Sequence, residues 1–130
     1  KAQARNQLDR TLDFYLNPPS AAVFPIGLIT SLTCQQAVYL LGKTPIDGSK
    51  KAASDPAFNM VAQLFAAKLN YASGAQQCNA ASAAMTQAQA LLVTIGFNGL
   101  THTTLTAAQA TTLNTLAGIL DKYNNNTLVC

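Results

Sequence analysis

The stretch from Asp55 to Gly74 constrains the fold more than any other. Asp55 can cap the first N–H groups of a helix, and Pro56 sits at the first helical position, where its missing N–H costs nothing. Phe58, Val61, Ala62, Phe65, Leu69 and Ala72 then recur at spacings of three and four, which places them on one face of a helix. Gly74 supplies a left-handed exit. An amphipathic helix of this length must bury its stripe against other elements.

The rest of the chain offers helices to do so. Thr33-Cys34-Gln35-Gln36 and Thr106-Ala107-Ala108-Gln109 both fit a capping box, in which the Thr hydroxyl accepts from an early N–H and the Gln reaches back. The first box opens a helix carrying Ala37, Leu40 and Leu41 that ends near Gly42, with Pro45 beyond. The second, with Leu105 as a staple, opens a helix with the stripe Leu113, Leu116, Ala117, Leu120 and Tyr123. Asn124 to Asn126 end it, because asparagine tolerates the left-handed region. Gln76 to Ile95 reads as an Ala-rich helix with Ala81, Ala84, Ala88, Leu91, Leu92 and Ile95 inward, followed by a turn from Gly96 to Thr104.

Asn6 to Leu16 reads as a first helix, stopped by Asn17-Pro18-Pro19. Ser20 to Leu32 and Ile46 to Ser54 read as loops. The expected fold is all-α: residues 1–130 as one helical domain, a compact bundle of four to five helices with an irregular N-terminal loop region.

Charge is sparse and unevenly placed. From Leu69 to Leu120 there is no Asp, Glu, Lys or Arg, and charged residues make up only 10% of the whole chain. The net charge of +3 is scattered over bases such as Lys1, Arg5, Arg10, Lys43, Lys50 and Lys51, too thinly to neutralise a run of phosphates, so no nucleic-acid partner is expected. No run of 18 apolar residues occurs, so no membrane insertion is expected. Lys1 to Arg10 is polar and does not read as a signal peptide; an exported protein would have had its signal removed.

Soluble monomers usually intersperse both charge signs over their surface. A neutral surface of Ala, Thr, Gln and Asn packs well against copies of itself, so the helices of residues 69–120 are the expected faces for self-association. A low-charge secreted monomer is the plainer reading of the same composition.

Cys34, Cys78 and Cys130 are far apart and lack the spacing of a zinc or thioredoxin motif. With one histidine and no acidic cluster, neither a metal nor a cofactor is expected. In an oxidising compartment one internal bridge can form, in three possible pairings, leaving one thiol over. The expected arrangement is Cys130, on an Asn-rich tail, bonded to a second chain; an internal bond to Cys34 or Cys78 is the rival, and three reduced thiols in a cytosolic protein a third reading. Asn125-Asn126-Thr127 is an N-x-T sequon on that tail, a possible glycosylation site at Asn125.

Three motifs line up in order along the chain. "AAKLNYASGA" (Ala66 to Ala75) resembles the A-A-K-L-N-x-A-x-G-A segment of a bacterial secreted domain whose opening signature is roughly G-Y-W-K-x-H-P. "LDKYNNN" followed by Cys130 is similar to that family's L-D-x-Y-N-N-G…C ending, and "LLGKTP" (Leu40 to Pro45) to its L-L-x-x-P element. The opening signature is degenerate: Asp13 to Pro19 keeps two aromatics and a proline but no Trp, Lys or His, so no ligand role of that set carries over. The resemblance implies export and an extracellular or cell-surface setting, and no established catalytic activity. Members often carry a cysteine ahead of the signature, which Lys1 to Arg10 lacks.

Catalytic chemistry is thin. His102, the only histidine, lacks the nucleophile, orienting group and oxyanion donors of a triad, and reads as an exposed loop residue. Lys68 reads as snorkelling, with its stem along the core edge and its ammonium wet. No enzymatic activity is expected. The leading expectation is a secreted bacterial structural protein that self-assembles as a subunit of an extracellular filament or cell-surface assembly. The alternative is a monomeric extracellular module binding a glycan or small ligand, with Phe14, Tyr15, Phe24 and Tyr39 lining its pocket.

Overall fold

The computed structural model describes residues 12–130. Five helices order them: α1, described over residues 12–16, α2 (Cys34–Leu41), α3 (Pro56–Ala72), α4 (Asn79–Ile95) and α5 (Ala107–Asn124). Among the described residues no strand forms, only isolated bridges at Leu16–Pro19 and Ile26–Ile29, and the fold is the expected all-α packing of helices. The expected start of the first helix, residues 6–11, lies outside the described residues, as do Lys1, Arg5 and Arg10.

Among α2 to α5, each helix begins as its sequence dictates, with one exception. Thr33 and Gln36 close a reciprocal capping box on α2 (3.1 and 2.9 Å), and Thr106 and Gln109 do the same on α5 (3.1 and 3.0 Å). On α3, Asp55 Oδ1 accepts from the Ala57 N–H at 2.8 Å, ahead of Pro56. The exception is α4, which starts at Asn79 rather than Gln76, with Cys78 at its N-cap and no side-chain cap of its own.

α3 is the central helix, packed most extensively on α5 and also against α2 and α4. Besides the expected Phe58, Val61, Ala62 and Phe65 it buries Met60, Leu64 and Ala67, so apolar contacts surround most of its girth. Leu69 and Ala72, near its end, are only half-buried. Against it α4 presents mainly alanines (Ala81, Ala84, Ala88), which permit close approach but fill little volume.

The missing volume comes from the irregular segment between α1 and α2. Val23, Phe24, Ile26, Ile29 and Leu32 are all buried there, and Phe24 sits 6.5 Å, centroid to centroid, from Phe65. A loop buried this deeply must satisfy its backbone polar groups without water. Gln89 of α4 does so at Gly27, accepting from its N–H at 2.7 Å and donating to its carbonyl at 3.0 Å. The Leu28 N–H donates to the Phe97 carbonyl, and Ile26 and Ile29 exchange paired bonds at 2.9 Å. Gly27 is required here: its φ is +57°, and an added Cβ would lie 2.9 Å from the Phe97 carbonyl oxygen.

Candidate functional site

Two of the three motifs singled out in the sequence, "AAKLNYASGA" and "LDKYNNN", meet at one end of the bundle, where α3 ends, α4 begins and α5 runs into the C-terminal tail. Asn70 Nδ2 donates to Asn124 Oδ1 at 3.0 Å, and Asn124 Nδ2 donates in turn to the backbone and side-chain oxygens of Gln63. Tyr71 and Tyr123 meet edge to face at 5.3 Å. Tyr123 donates its hydroxyl to the Gln76 carbonyl at 2.8 Å, and partial burial, with Tyr71 beside it, raises its pKa above the ordinary tyrosine value.

The Tyr71 hydroxyl explains the late start of α4. It accepts from the Cys78 N–H at 3.0 Å, donates to the Cys78 carbonyl at 2.9 Å and lies 2.8 Å from Ser82 Oγ. A side chain from the end of α3 therefore fixes the backbone where α4 begins. Nothing local to residues 76–79 signals this, which is why the sequence pattern places the start three residues early.

Cys78 and Cys130 form a disulfide here, with Cα atoms 5.3 Å apart. This corrects the expectation that Cys130 bonds a second chain: Cys130 is tied within its own chain, and the internal rival pairing with Cys78 is the one formed. The reason is positional. The exit of α5 at Asn125, with Asn126 in the left-handed region (φ +60°), turns the tail back toward the N-terminus of α4. Cys34 is half-buried at the first position of α2, outside that bridge. Asn125 is exposed, but its amide nitrogen already donates to both the backbone and carboxylate oxygens of Asp121 at 2.9 Å. A glycan on that nitrogen would displace at least one of these bonds.

Of the four aromatics expected to line a ligand pocket, Phe14 and Tyr15 meet each other, whereas Phe24 packs on Phe65 and Tyr39 bonds Gln35. Phe14 is 75% exposed and stacks edge-on against Tyr15 at 5.0 Å, beside a shallow groove of about 660 Å³ lined by Asp13, Phe14, Asn17, Pro18, Pro19 and Ser20. Phe24 is in the core. Tyr39 is half-buried against Gly48, its hydroxyl accepting from Gln35.

His102 is exposed, as read from the sequence, but not isolated: its Nδ1 pairs with Oδ2 of Asp55, the α3 cap, and its ring lies 5.5 Å from Phe58. Lys68 departs from its expected role. It is half-buried, its ammonium donates to the Pro25 carbonyl at 2.8 Å, and burial lowers its pKa from 10.5. It clamps the buried loop rather than simply trailing into solvent.

A second groove, of about 390 Å³, runs between α3 and α5 and escaped the sequence reading because its residues are contributed from three separate segments. Lys43 and Asp121 supply opposite charges, and Asn59, Gln63 and Asn114 supply amides. Gly118 leaves open space beside it. Among the described residues no cluster of His, Cys, Asp or Glu could hold a metal, and no helix is long and apolar enough to cross a membrane.

The outer faces of α4 and α5 complete the picture. On α4, Ala80, Ala83, Thr86, Gln87, Ala90, Val93 and Thr94 are exposed at helical spacing. On α5, Ala108, Thr111, Thr112 and Thr115 are exposed. No charged side chain lies on either stretch. The chain matches no known family model, no curated protein and no solved structure.

Proposed function

We propose that this protein is a secreted bacterial structural subunit that assembles with copies of itself in an extracellular filament or cell-surface layer. The observation that carries the reading is the uncharged outer surface of α4 and α5, built from small and amide side chains. Two such faces meet without desolvating an ion, and their small residues allow close backbone approach. Each square ångström of apolar area removed from water contributes about 25 cal/mol, so an interface of about 1,600 Å² would be of ordinary size for a specific contact. The disulfide fits an oxidising compartment. The likeness of "AAKLNYASGA" and "LDKYNNN" to a secreted bacterial domain supports export. Because Cys130 is bonded internally, assembly in this reading does not rest on a Cys130 bond between chains.

Light scattering over a concentration series, with negative-stain microscopy, tests the proposal. Wild-type protein is expected to form regular oligomers or polymers, and lysines introduced at Ala83, Ala90 and Thr111 are expected to disperse them. A wild-type chain that remains monomeric throughout overturns it.

The groove between α3 and α5 favours a second reading, a monomeric module for a polar small ligand or glycan. Its amides and its single pair of opposite charges suit a neutral hydroxylated or zwitterionic molecule. Replacing Gly118 with leucine would fill the groove and abolish such binding.

A further inference from the structure

The Cys78–Cys130 bridge is markedly asymmetric. Cys78 is 4% exposed and sits at the N-cap of α4, whereas Cys130 lies on an exposed tail next to Val129, which is 92% exposed. A small groove of about 210 Å³ reaches Cys130 between Gln76, Tyr123, Asn126 and Leu128. We infer that this bridge is a directional thiol-exchange site, opened by a small-molecule thiol that attacks the sulfur of Cys130 and becomes linked there while Cys78 departs.

Disulfide exchange requires the incoming thiolate to approach the attacked sulfur from the side away from the leaving sulfur. Cys130 is open to the solvent and the adjoining groove, whereas Cys78, at 4% exposure, is covered by packed side chains that bar an incoming thiolate. The reaction balances without an external oxidant: the incoming thiolate forms a bond to Cys130 Sγ, the Cys78–Cys130 bond breaks, and its electron pair leaves on Cys78 as a thiolate.

The fold also provides for that leaving group. An N-cap side chain ordinarily accepts from the second or third helical N–H, here those of Ala80 and Ala81, and the bridged Cys78 makes no such bond. Once released, its sulfur belongs to the N-cap residue and can take up that place, where the N-terminal end of the helix dipole favours negative charge. Burial opposes ionisation of the same sulfur, so access, rather than leaving-group quality alone, sets the direction. The Tyr71 hydroxyl holds the Cys78 backbone through both its N–H and its carbonyl, and keeps α4 anchored when the tail departs.

Sulfite provides a probe that marks the attacked sulfur, because it leaves a stable S-sulfonate there and a thiol on the partner. Native full-length Cys34→Ser protein, which removes the third cysteine from the exchange, is treated with sulfite, the released thiol alkylated, and the peptides mapped by mass. The expected result is S-sulfonate on Cys130 and alkyl on Cys78, with the Cys130 product in about ten-fold excess or more, whereas chain unfolded in denaturant is marked on both. Glutathione is expected to open the bridge in the native protein. A majority or equal share of S-sulfonate on Cys78 overturns the inference, as does a bridge that resists both reagents until the chain is unfolded.

Discussion

The segment between α1 and α2 and the helix α4 make contrasting contributions to one core. The irregular segment carries Val23, Phe24, Ile26, Ile29 and Leu32 inward, whereas the regular helix buries mainly Ala81, Ala84 and Ala88, with Met85 and Leu92. The segment that lacks helical geometry thus supplies the bulk, and the well-formed helix supplies close approach and hydrogen bonds. Gln89 links them directly, using both ends of its amide at Gly27. Regular secondary structure and contribution to the core are separate properties in this molecule. An Ala-rich helix needs a bulky neighbour, and a buried loop needs a polar side chain to stand in for water.

The largest expected effects test that contrast directly. Ile26→Ala in the loop and Leu64→Ala in α3 are both fully buried truncations, and each should cost about 2–5 kcal/mol in denaturant unfolding. A loop variant costing well under 1 kcal/mol would show that the segment is only draped over the core. Removing the bridge with the double substitution Cys78→Ala/Cys130→Ala should cost about 2–4 kcal/mol, since it closes a long loop in the unfolded chain. Gln89→Leu keeps the volume but leaves the Gly27 N–H and carbonyl unpaired, for an expected loss of about 1–3 kcal/mol. Tyr71→Phe removes the hydroxyl that holds the start of α4, and should cost about 1 kcal/mol, with faster amide exchange in that first turn.

The smallest effect lies in alkaline pH dependence. Burial lowers the Lys68 pKa from 10.5, so below that value the unfolded chain binds more protons than the folded one, and stability rises with pH in that window. Tyr123 acts in the opposite sense. Its raised pKa means that the folded chain retains a proton that the unfolded one loses near 10.0, so stability falls as pH climbs through that region. Lys68→Met should flatten the rise and leave the fall in place, as read from thermal midpoints across pH.

The helices were legible where their signals are local. The boxes at Thr33 and Thr106, the Asp55-Pro56 start, and the exits at Gly74 (φ +94°) and Asn126 (φ +60°) all lie within a few residues of the ends they define. What the sequence hid is long-range. Tyr71 fixes the start of a different helix, Lys68 reaches the Pro25 carbonyl, and the buried loop apolars Val23, Ile26, Ile29 and Leu32, though spaced by three, lie in a stretch that Pro25 and Gly27 mark as a loop. The disulfide partner was equally hidden, because separation along the chain says nothing about where a tail folds back. The "AAKLN" and "LDKYNNN" residues, distinctive in sequence, lie at the polar lock between helix ends, while the groove of Lys43 and Asp121 is marked by no motif at all.

The proposed role rests on the uncharged faces of α4 and α5, and the most direct test is sedimentation equilibrium of the wild-type chain beside the Ala83→Lys/Ala90→Lys/Thr111→Lys variant. All three positions are exposed, so the variant should keep its helical content and thermal midpoint. Concentration-dependent association of the wild type, abolished in the lysine variant, is the predicted result. A wild type that sediments as a monomer at every concentration, or a variant that associates just as strongly, would contradict the account.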